Sequence, residues 1–193
     1  GAYWFPDYIA DLHELLRHFS PDTAVPLVGH SMGGNIASLY AGVMPERVSA
    51  FVNLEGFGLP TSSPSDAPAR YRSWIESEQN PLIFVNYSNY SSLAMRIVKR
   101  SPGISPAMAE FVAREWAREH DDGSVHLWAD PAHKLPNPVL YRRAESKACW
   151  QAIRAPVLLV QGELSPFAER VGGVDELAFP NSRSVEIAAS GHM

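Results

Sequence analysis

The stretch LVGHSMGGN, residues 27–35, constrains the fold more than any other part of the chain. Gly29, His30, Ser31, Met32 and Gly33 fit the pattern G-x-S-x-G. The apolar run before it, AVPLVGH (24–30), reads as a strand. The run after it, NIASLYAGVM (35–44), has helical spacing, with Ile36, Leu39, Tyr40 and Val43 on one face, and Pro45 stops it. The pattern is therefore a turn that passes from a strand straight into a helix. So sharp a turn strains the backbone of Ser31. The flanking glycines are expected to remove side chains that would collide with the adjoining strand and helix, and Gly34 to leave room for close packing. Ser31 Oγ would then stand clear of the sheet at a helix N-terminus, where the helix dipole and a backbone N–H favour a developing oxyanion. Ser31 is the expected nucleophile, and the N–H of Met32 one expected oxyanion donor.

The remaining elements alternate in the same way. DYIADLHELLRHF (7–19) has Ile9, Leu12, Leu15, Leu16 and Phe19 at helical spacing, bounded by Pro21. VSAFVNL (48–54), APVLLVQG (155–162) and SVEIA (184–188) read as strands. Apolar runs separated by helices predict an α/β fold with a mostly parallel sheet covered on both faces. The middle differs. A Pro/Ser/Ala loop at 60–70 leads into helical pieces: RYRSWIESE, SSLAMRIVKR and SPAMAEFVAREWAREH. The last carries a serine cap before Pro106, and DDGS turns the chain after it. Residues 1–60 and 146–193 are thus expected to form the sheet domain, and 61–145 a mainly helical insertion.

Bulk properties exclude several classes. The 193 residues are 46% hydrophobic and 19% charged, an ordinary globular balance. A net charge of -5 argues against nucleic acid or an anionic membrane as partner. The single cysteine, Cys149, rules out an internal disulfide and a thiolate zinc site. No apolar run approaches the roughly 18 residues of a membrane span. His126, Asp130 and His133 match no common ligand spacing, and ADPAHK reads as a turn, so neither metal nor cofactor is expected. A cytoplasmic location is expected.

With GHSMGG, the MPERV after its helix, APVLLVQGE and the closing ASGHM, the chain resembles the α/β-hydrolase superfamily over most of its length. The resemblance implies an α/β-hydrolase fold with 61–145 as the cap or lid, and His192 in GHM as the general base. His30, His13, His18, His120, His126 and His133 are expected in packing or solvated roles. The acid is less direct. The family usually places aspartate after the strand APVLLVQG, at position 165, but this chain has Ser165. The candidates are Glu55, Glu163, Asp175 and Asp130. Some members of the superfamily carry the acid one strand earlier, which points to Glu55 at the end of VSAFVNL. Adjacent parallel strands deliver their C-terminal ends to one sheet edge, so Glu55 would emerge beside Ser31. Glu163 remains the alternative.

A Ser-His-Glu triad implies acyl-enzyme chemistry on a small to medium carboxylic ester. Phe57 and Leu59, just after Glu55, are expected near the substrate entrance, and aromatics of the insertion in its core or an apolar pocket. The same triad also serves lyases, C–C hydrolases and perhydrolases, and a non-catalytic ligand-binding protein is the reading from another class. The family's first strands and last helix are not recognisable here. The chain is expected to be an internal piece whose sheet a further segment or partner completes.

Overall fold

The computed structural model describes residues 3–80, 82–101, 103–167 and 179–192. They fall into two compact units, one of Tyr3–Ala67 with Val139–His192 and one spanning Pro68–Pro138.

The first unit holds a four-stranded parallel sheet. Its strands are β1 (Val25–His30), β2 (Val48–Leu54), β5 (Val157–Gly162) and β6 (Ser182–Ile187), in the order β1-β2-β5-β6. Helix α1 (Phe5–Phe19) precedes β1, α2 (Met32–Val43) joins β1 to β2, and α6 (Arg143–Gln151) precedes β5. The apolar spacing finds its purpose in one cluster: Leu16 from α1, Tyr40 and Ala41 from α2, Phe51 from β2, Trp150 from α6, and Val157 and Leu159 from β5. Trp150 is buried with its indole N–H donating to Ser38 Oγ at 3.0 Å, so the largest core side chain leaves no polar atom unmet. The helix faces are narrower than their spacing predicts: Leu15, Phe19 and Val43 are exposed. The two central strands carry most of the burial, whereas β6 is exposed throughout. Among the described residues β1 pairs with β2 alone. The registers matter for the site. His30 sits beside Leu54, and Leu54 beside Val160, so three strand ends meet at one edge.

The second unit contains α4 (Tyr90–Arg100), α5 (Pro106–Trp116) and an antiparallel pair, β3 (Ala117–Glu119) with β4 (Val125–Leu127). Helix α3 (Ala67–Gln79) buries none of its described side chains. Leu93, Ile97, Ala109, Ala113, Ala117 and Val125 form the unit's own core. Ser105 caps α5 as expected, its Oγ accepting from Met108 N at 3.2 Å. The helix expected to run to His120 instead ends at Trp116. Ala117, Arg118 and Glu119 are good helix formers, but the turn at Gly123 (φ 79°) brings Val125–Leu127 back alongside them. Tyr87 binds Val125 from the other side by two backbone bonds of 2.9 and 2.7 Å. Cross-strand pairing thus overrides local propensity.

Candidate active site

Ser31 is the single residue between β1 and α2, and its backbone lies at φ 54°, ψ −118°. Its N–H donates to Leu54 O at 2.8 Å, which ties the turn to the end of β2. A Cβ on Gly29 would meet Gly33 O at 2.5 Å, and one on Gly34 would meet Asn53 Oδ1 at 2.6 Å and Gly56 Cα at 2.9 Å. The turn therefore demands glycine at 29 and 34. Gly33, also expected to relieve a collision, faces open space: an added Cβ there would meet nothing within 4 Å outside its own helix backbone.

The end of β2 is as tightly specified. Asn53 is fully buried; its Oδ1 accepts from Gly56 N at 2.7 Å and its Nδ2 donates to Gly56 O at 2.9 Å. This clamp closes a turn around Glu55, which takes φ 56°, a region that non-glycine residues seldom occupy. Glu55 N donates to Val160 O at 3.0 Å. Glu55 is 6% exposed. Oε1 accepts from Gly162 N at 2.7 Å, Oε2 accepts from Ser165 Oγ at 2.7 Å, and Oε2 also pairs with His192 Nδ1. Burial by itself would raise its pKa, but the bonds from Gly162, His192 and Ser165 outweigh burial and hold Glu55 below the usual carboxylate range.

His192 Nε2 lies 2.9 Å from Ser31 Oγ. Glu55 Oε2 accepts a hydrogen bond from Nδ1–H of the neutral imidazole, which leaves Nε2 as the acceptor facing the Ser31 hydroxyl. Phe167 lies flat on the imidazole, with centroids 3.8 Å apart and planes at 13°. His30, expected to pack or bond to backbone, places Nε2 2.7 Å from His192 O, an N–H donating to a carbonyl. A hydroxyl, an imidazole and a carboxylate joined in that order can pass a proton off the hydroxyl and stabilise the charge left on the imidazole. Ser31 is the residue immediately before α2, whose first residue is Met32, so it stands at a helix N-terminus.

The other sequence candidates lie apart from this chain of bonds. Glu163 is turned to its own loop, where Oε2 accepts from Ala189 N at 2.7 Å. Asp130 caps a short turn by accepting from Ala132 N at 2.9 Å. Asp175 lies outside the described residues. Phe57, expected near the entrance, is instead 2% exposed and lies in the core cluster with Trp150. Leu59 is partly exposed. His126 bonds to Ser124 Oγ at 2.8 Å and stacks on His120, and no metal-ligating group of three is gathered among the described residues. Asn53, Ser165 and Phe167 were not singled out by sequence as parts of the site. An asparagine within an apolar strand, three residues before a glycine, is the signal that marks Asn53; nothing local marks the other two.

Comparison with known proteins adds the family. A profile of the alpha/beta hydrolase fold matches residues 1–193. A serine hydrolase-like protein of Danio rerio is 27% identical over 136 residues, which is 64% of this chain and 39% of that protein. The chain thus spans well under half the length of this curated relative. Among solved structures, a hypothetical protein of Pseudomonas aeruginosa superposes with TM-score 0.84 at 21% identity, covering 100% of this chain and 68% of the other. A thioesterase domain from the curacin biosynthetic pathway does so with TM-score 0.82 at 21% identity, covering 98% and 68%. Among the described residues no helix is long and apolar enough to cross a membrane. The chain belongs to the alpha/beta hydrolase fold family, with the mostly parallel sheet, helices on both faces and sharp strand-to-helix turn at Ser31 that define it.

Proposed function

We propose that this chain carries the catalytic centre of a serine hydrolase that cleaves a small to medium carboxylic ester. The observation that supports the reading is the unbroken chain of hydrogen bonds from Ser31 through His192 to Glu55 at the C-terminal edge of the parallel sheet. Ser31 Oγ attacks the ester carbonyl while His192 Nε2 takes its proton. Glu55 holds the tautomer and stabilises the imidazolium. The oxyanion is received by the N–H of Met32 at the start of α2. His192 then protonates the leaving alcohol, and water repeats the cycle on the acyl-Ser31 intermediate. Leu59 borders the substrate in this reading, and the insertion at 61–145 serves as the cap. The test is turnover of p-nitrophenyl acetate and butyrate by the full-length protein, with the covalent product trapped by a fluorophosphonate and located by mass spectrometry. Label on Ser31 with ester turnover supports the proposal; absence of both overturns it.

A further inference from the structure

Position 165 carries a serine where the family's acid usually stands, and its side chain is not idle. Ser165 Oγ donates to Glu55 Oε2 at 2.7 Å, the same oxygen that receives His192 Nδ1. Oε1 is held by Gly162 N at 2.7 Å, so both carboxylate oxygens are pinned from β5 and its following loop. Ser165 is itself fixed: its N–H donates to Gly162 O at 3.0 Å, and its Oγ accepts from Phe167 N at 3.3 Å. Phe167, two residues on, stacks on the His192 ring. One short loop thus touches the acid and the base at once.

We propose that Ser165 is a positioning residue for the Glu55–His192 pair, working through Glu55 from the loop position where the family usually carries the acid itself. The inference rests on the triad reading above. A glutamate side chain has three rotatable bonds, one more than the aspartate usual at the other position, and needs correspondingly more restraint. The Gly162 amide alone leaves the carboxylate free to turn about the Oε1 contact. The Ser165 hydroxyl removes that freedom, and its proton is aimed at Oε2, so the lone pair left to His192 is fixed in direction. The Ser165 bond also draws charge from Oε2 and moderates how strongly the carboxylate holds the imidazolium.

The test is a set of substitutions in the full-length protein, read by kcat, KM and the pH profile of kcat/KM, with Ser31→Ala as the reference. Ser165→Ala is expected to lower kcat roughly ten- to a hundredfold, the range for a lost hydrogen bond to a charged group, with KM little changed. The acid limb of kcat/KM is expected to move to higher pH, because a carboxylate stripped of one donor holds the proton of the pair more strongly. Ser165→Thr, which keeps the hydroxyl, should recover most of kcat. Ser165→Cys, similar in size but a weak donor, should behave like Ser165→Ala even if the alanine variant folds poorly. The proposal is overturned if the cysteine or alanine variant, folded by circular dichroism, keeps wild-type kcat and an unmoved acid limb while Ser31→Ala is inactive. Activity surviving in Ser31→Ala would instead overturn the triad reading on which the proposal stands.

Discussion

Ser31 Oγ and His192 Nε2, 161 residues apart in sequence, lie 2.9 Å apart in the folded chain. The contact joins the β1–α2 turn to the segment after β6, two strands that do not touch in the β1-β2-β5-β6 sheet. It is bridged by Glu55, which reaches His192 from the end of the intervening β2.

If Ser31 attacks the substrate, Ser31→Ala should abolish fluorophosphonate labelling and lower kcat by about 10⁴-fold or more. The turn should survive, since alanine meets the same backbone strain as serine at φ 54°. Intact-mass spectra and circular dichroism of the variant check both statements.

Glu55→Gln keeps the shape of the acid but removes its charge. Loss of the corresponding carboxylate in other enzymes costs about 10⁴ in rate, and a comparable fall in kcat is expected here. Glu163→Gln touches one loop hydrogen bond, to Ala189 N, and should cost less than about tenfold. Paired steady-state kinetics decide the assignment; the reverse ranking would move the acid to Glu163.

The depressed pKa of Glu55 predicts a pH dependence of stability. In the folded chain the group ionises at lower pH than in the unfolded chain, so near its titration the unfolded state binds more protons. The contribution is therefore fully present above the unfolded value of about 4.3 and is lost as pH falls through the lower folded value. Thermal melts from pH 7 down to pH 3 should show this loss, with a shallower slope in Glu55→Gln.

Gly33 and Gly34 should respond oppositely to alanine. At Gly34 the added Cβ would sit 2.6 Å from Asn53 Oδ1 and 2.9 Å from Gly56 Cα, so the Glu55 turn must shift; a loss of about 1–3 kcal/mol is expected, with reduced kcat. At Gly33 the space is open and the position helical, so alanine should be neutral or stabilise by up to about 1 kcal/mol. Chemical denaturation of the two variants measures the difference.

What the sequence by itself determined is what short-range physics encodes. The strand–turn–helix around Ser31 is legible because apolar spacing and glycines at fixed offsets act within a few residues. Strand β2 agrees with its expected span for the same reason. His192 and Glu55 were reachable only with help from the family resemblance and the rule that parallel strands end at one edge. The tertiary structure decided the rest. Which carboxylate faces His192 depends on the register that sets Leu54 beside Val160, and a period-2 pattern does not reveal its neighbour. The hairpin at Ala117–Glu119 formed against its own helix propensity because its partner strand lies beyond a glycine turn. Phe57 turned from expected entrance to core, since burial depends on what packs against a ring. Ser165 is the sharpest case. Alone in the sequence it is a serine where an acid was expected; in the fold its hydroxyl donates to Glu55, more than a hundred residues away, because a hydrogen bond requires only that two atoms meet in space.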